Sequence, residues 1–116
     1  MIAKIETLAG PRLRHAVAAV LKKEFTVDKE PTYGVGHRIL IKGDKEFFRP
    51  DVNWEQGGPL VDTHWRAITA WLIETLGPNW RDNIDGRRGD ILVWFMRGLV
   101  GSVCGTHVGV PEWLEG

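Results

Sequence analysis

The sequence predicts an α+β domain in which three helices pack on a small antiparallel sheet of two or three strands. Apolar residues recur at helical spacing in three stretches, each bounded by residues that start or stop helices. A β-branched apolar run lies between the first and second of them. At 116 residues the chain can bury one continuous core but is short for two, so residues 1–116 read as a single globular domain.

Gly10-Pro11 opens the first helix with proline at its first position, and Leu13, Ala16, Val17, Val20 and Leu21 form the stripe over about residues 11–24. Arg12, His15, Lys22 and Lys23 fall off that stripe and read as a solvated face. The segment Thr26 to Gly36 is polar and broken by Pro31, Gly34 and Gly36. A strand follows over His37 to Lys42, turns at Gly43-Asp44-Lys45 and returns over Glu46 to Arg49 until Pro50 ends the pairing. Residues 50–62 hold two prolines and a Gly-Gly pair, the composition of an irregular loop with unusual backbone angles.

Asp62 is placed to cap a second helix carrying Trp65, Ile68, Leu72 and Leu76, which Gly77-Pro78 stops. Asn79 to Gly89 is polar and irregular. Asp90 then caps a third helix over Ile91 to Val103, closed by Gly105, in which Gly98 and Gly101 leave room for a neighbouring element. Val108 to Pro111 reads as a short edge strand, and Trp113 with Leu114 as a lid on the core.

Composition removes several function classes. Apolar residues at 43% and charged residues at 26% are those of a folded domain. Lys plus Arg and Asp plus Glu both number 15, so no overall field draws the chain to nucleic acid or an anionic membrane. The longest apolar run, Ile91 to Met96, is far short of the roughly 20 residues that span a bilayer, and the N-terminus lacks the apolar core of a signal peptide. The expected location is cytoplasmic.

Catalytic signatures are absent from the sequence. Cys104, the one cysteine, rules out an internal disulfide and reads as a small buried hydrophobe, and neither it nor Ser102 sits in a nucleophile motif. The four histidines form no metal-binding pair, and Tyr33-Gly-Val-Gly36 lacks the full glycine series of a dinucleotide site. No cofactor, no metal and no enzymatic activity are expected.

Binding is a better fit. Gly57 and Gly58 can present successive backbone N–H groups to an anion before a helix. Around them, Phe48, Arg49, Asn53, Trp54 and Gln56 offer a charge, stacking faces and amide groups suited to the edge of a base. Trp80 and Arg81 with Arg87 and Arg88 make a second candidate, a clamp on phosphate or on an acidic protein surface. Six tryptophans are more than a small core can readily bury with every N–H satisfied, so some are expected at the surface.

Three stretches resemble a family of unknown function that includes the phage protein NinX. They are Leu8-Ala-Gly-Pro-Arg-Leu13, Pro50-Asp-Val-Asn-Trp-Glu-Gln-Gly-Gly-Pro-Leu-Val61, and Met96-Arg-Gly-Leu-Val-Gly-Ser-Val-Cys-Gly105 running on to Val108 and Pro111. The central run is the most specific, and the pattern departs between Thr63 and Gly89. The resemblance implies a phage or prophage accessory protein in the host bacterial cytoplasm, and supplies no catalytic residues to carry over.

The leading expectation is a non-enzymatic anti-defence protein that sequesters a small nucleotide-type ligand. The alternatives are an inhibitor or adaptor of a host protein, of anti-CRISPR or anti-restriction type, which would use exposed Trp and Arg, and a small enzyme acting on nucleotides. In the last, Asp51, Glu55 and Asp62 would hold a divalent cation beside a phosphate. The third helix is apolar on more than one face, which suggests that a second copy covers it in a homo-oligomer.

Overall fold

The computed structural model describes residues 1–29, 36–85 and 91–114. Helix-forming spacing and paired β-branched strands both appear, and the class is α+β. Among the described residues there are five α-helices and two separate two-stranded antiparallel sheets. In chain order these are β1 (Ile2–Lys4), α1 (Gly10–Val20), β2 (Phe25–Lys29), β3 (His37–Ile41), α2 (Trp54–Thr63), α3 (Trp65–Leu76), α4 (Trp80–Asp85), α5 (Ile91–Cys104) and β4 (His107–Gly109). A single 3-10 turn, Ile5–Thr7, joins β1 to α1.

The most apolar segment becomes the post around which the rest is built. In α5, Leu92, Trp94, Phe95, Met96, Leu99 and Val100 are all buried, and Gly98 and Gly101 lie on its buried surface too. The glycines set how close α3 comes. A Cβ on Gly98 would stand 3.0 Å from Ile68 Cγ2, and one on Gly101 would fall 2.0 Å from the Trp71 indole nitrogen. The expected close approach is therefore real, and Trp71 lies flat over Gly101 with its N–H donated to the Gly105 carbonyl at 2.8 Å. Helix α1, α2 and the 3-10 turn pack on other sides of α5. The chain thus covers much of its own apolar helix, while Val103 near its end stays 66% exposed.

Pro11 begins α1 and Leu13, Ala16 and Val17 are buried as the spacing requires, but the helix stops at Val20 rather than near residue 24. Lys22 takes φ +57°, and Lys23 N–H turns back to the Ala18 carbonyl, a left-handed close that lysine rather than glycine supplies here. Off the stripe, Arg12 is not simply solvated: its Nε donates to the Leu114 carbonyl at 2.8 Å. His15 packs edge-on against Phe25, with ring centres 5.1 Å apart, and burial lowers its pKa.

The hairpin partner of β3 is corrected. Its neighbour is β2, in the register Phe25↔Ile41, Val27↔Ile39 and Lys29↔His37. Only Phe25 and Val27 turn inward along β2 while Thr26, Asp28 and Lys29 face water, too few apolar residues to stand out as a strand. The return segment meets β3 through one bond, Phe48 N–H to the Ile39 carbonyl at 2.7 Å. The C-terminal strand β4 pairs with β1, Ala3 opposite Val108, so the two ends of the described chain close against each other. Leu114 is fully buried, as a lid requires, whereas Trp113 is exposed.

The expected loop over 50–62 is largely helical. Asn53 caps α2, its side-chain oxygen accepting the Glu55 N–H at 2.9 Å, and Asp62 lies inside that helix rather than capping the next. Gly57 serves close approach and not an unusual φ: a Cβ there would sit 2.1 Å from the Pro50 carbonyl oxygen and 3.0 Å from Leu92. Tertiary packing overrides the poor helix propensity of Gly-Gly-Pro. The Asn79–Gly89 segment likewise starts as a helix, α4, because Trp80 and Ile84 are buried. Among the described residues, no helix is long and apolar enough to cross a membrane.

Candidate functional site

The Gly-Gly segment does not form an anion cradle. Gly57 N–H is used within α2, bonding the Asn53 carbonyl at 2.8 Å, and Gly58 lies one residue further along the same helix. Asn53 is spent as the cap. Gln56 is spent on the backbone, its amide donating to the Phe47 carbonyl at 2.9 Å and its oxygen accepting Arg49 N–H. Phe48 is a core residue, and Trp54 is 56% exposed on the outer side of α2. Of the seven residues expected around this loop, two line a cleft, Phe48 and Arg49.

The second expected constellation splits. Trp80 is buried, with ring centres 6.3 Å from both Trp65 and Phe95, so its indole serves packing. Arg81 is exposed and lies over the Trp80 ring at 5.1 Å. Arg87 and Arg88 lie outside the described residues. The proposed cation site fails on geometry: Asp51 is buried against Arg14, Glu55 and Asp62 are exposed on α2, and no group of three or more metal-ligating side chains occurs among the described residues. Cys104 is exposed rather than buried, because it ends α5 beyond the last packed turn.

What the structure does assemble is a cationic cleft between the start of α1, strand β3 and the segment before Pro50. Its volume is about 430 Å³, and its described lining includes Arg14, His37, Arg38, Phe47, Phe48 and Arg49. No carboxylate is among its described lining residues. Each element contributes for a local reason. Arg14 leaves α1 one residue beyond the buried Leu13, which turns it toward β3; Arg38 alternates with the buried Ile39 and so takes the outer face of the ribbon.

The three guanidiniums are in different states. Arg14 is held side-on by Asp51, Nε to Oδ1 at 2.7 Å and Nη2 to Oδ2 at 3.2 Å, with the Asp51 side chain only 3% exposed. Arg38 lies over the Phe47 ring at 4.4 Å, and its Nε is buried without a hydrogen-bond partner. Asp28 is its cross-strand neighbour, but no ion pair joins them among the described residues. Arg49 is exposed and is among the residues that line the cleft. At one side His37 meets Trp113 edge-on at 5.5 Å.

A buried, unsatisfied donor on a charged group costs a folded protein about 1–3 kcal/mol or more, and such groups ordinarily find partners. Arg38 therefore brings a charged, incompletely satisfied side chain to the wall of the cleft. Sequence reasoning missed both Arg14 and Arg38. Arg14 follows the buried Leu13 on an amphipathic helix and Arg38 stands inside an apolar strand; only the meeting of α1 with β3 makes them a pair. Compared with known proteins, the chain matches no family model, no curated protein and no solved structure.

Proposed function

We propose that this chain is a small non-enzymatic binding protein that holds a phosphorylated, nucleotide-type ligand in the cleft between α1 and β3. The observation that carries the reading is the Arg38 Nε, buried without a partner in a cleft that Arg14 and Arg49 also line and no described carboxylate enters. Guanidiniums are suited to phosphate by their planar, forked donors. Phe47 adds an aromatic face, already held by Arg38, against which a base or sugar would pack. The described lining offers charge and stacking, with the His37 imidazole as its one candidate general base and no carboxylate, hydroxyl or thiol beside it, which favours capture over turnover.

With the NinX-like resemblance, this reading places the protein as a phage or prophage accessory factor that sequesters a nucleotide-type signal of host defence. Native mass spectrometry of the protein from bacterial cells, before and after incubation with a nucleotide panel, tests it. The expected result is a nucleotide-sized adduct that Arg38→Gln loses and Arg81→Gln keeps. If no panel member adds to the wild-type protein, the reading is overturned.

A second reading, docking to a host protein, is favoured by one feature: Val52 and Trp54 stand 60% and 56% exposed, near each other in sequence at the start of α2. Exposed tryptophans are frequent interface anchors. It predicts that Trp54→Ala abolishes recovery of a single host partner in a pull-down while leaving nucleotide binding intact.

A further inference from the structure

The charge state of the cleft specifies the ligand more narrowly than its shape does. Three arginines line it, and one of them, Arg14, is neutralised by the buried Asp51 through two hydrogen bonds. Arg38 and Arg49 form no ion pair among the described residues. We infer that the cleft selects a terminal phosphomonoester dianion over a phosphodiester. This inference rests on the nucleotide-binding reading above.

A phosphomonoester carries close to two negative charges at neutral pH and three terminal oxygens able to accept hydrogen bonds. A phosphodiester carries one charge and two such oxygens. Only the monoester matches Arg38 and Arg49 in charge. Arg14 plays a different part. Asp51 occupies its Nε and Nη2, which fixes the guanidinium plane of a residue that lines the cleft. Asp51 is thus a positioning residue, orienting Arg14 without touching ligand.

Isothermal titration calorimetry with a matched series reads this directly: each nucleoside, its 5′-monophosphate, its 3′,5′-cyclic monophosphate, and inorganic phosphate. The expected result is that at least one 5′-monophosphate binds tighter than its cyclic diester by about tenfold or more, the scale of one additional charge-assisted contact. Arg49→Gln should shrink that ratio toward one by removing the second charge, with Lys at the same position restoring part of it. Cyclic and linear forms binding equally, or the cyclic form binding tighter, would overturn the dianion inference while leaving the nucleotide-binding reading standing. If no member of the series binds at all, the underlying reading fails with it. A melting curve on each variant separates lost binding from lost folding.

Discussion

At the residue scale, two arginines sit in opposite energetic positions. Arg14 and Asp51 form a pair whose side chains are 18% and 3% exposed, so breaking it leaves a charge with little water to replace its partner. Asp51→Ala should cost about 3–5 kcal/mol in urea unfolding, whereas replacing both residues by apolar ones of similar size should recover most of that loss. Arg38 is the reverse case. With its Nε buried and unpaired, Arg38→Met should leave the melting temperature unchanged or raise it by a few degrees, even as it removes ligand binding. Stability and function pull apart at that one position. His15 adds a pH dependence of fixed sign. Burial lowers its folded pKa below the ordinary 6.5, so the unfolded chain takes up the proton first, and stability must fall as pH drops below about that value. A His15→Phe variant should show a shallower loss between neutral pH and pH 5, measured by thermal melts across that window.

At the level of elements, the glycines of α5 and α2 decide which helices can touch. Gly101→Ala would drive a methyl into the Trp71 indole, whose N–H is anchored on Gly105, so the side chain has no cheap escape. The expected cost is about 1–3 kcal/mol in chemical denaturation. Here the sequence was legible: Gly98 and Gly101 on an apolar helix announced a close neighbour, and α3 and α5 run nearly where their periodicity placed them. Residues 53–63 were not legible, because Gly57 permits contact with the Pro50 carbonyl and Leu92, and that contact exists only after α2 meets α5. The same Gly-Gly pair therefore pointed to a phosphate cradle that the fold does not build. Strand β2 escaped notice for another reason: alternation over five residues with two weakly buried members is indistinguishable from a polar linker until β3 pairs with it.

For the whole molecule, the decisive contacts join distant parts of the chain. Strand β1 pairs with β4, Arg97 Nε donates to the Leu8 carbonyl at 2.7 Å, and Leu114 is fully buried beside the helix whose Arg12 holds its carbonyl. Leu114→Ala should cost roughly 2–5 kcal/mol and lower cooperativity throughout, read by hydrogen exchange in α1 as well as near the mutation. None of these long-range closures has a local signature, and neither has the cleft lined by Arg14, Arg38 and Arg49, although each of its side chains is in plain view in the sequence. The closure has an optical consequence as well. It brings the exposed Trp113 against His37 at the wall of the cleft, so a ligand entering beside them alters the surroundings of that indole. Occupancy should accordingly change the emission of one tryptophan in six, and a Trp113→Phe protein should bind in silence.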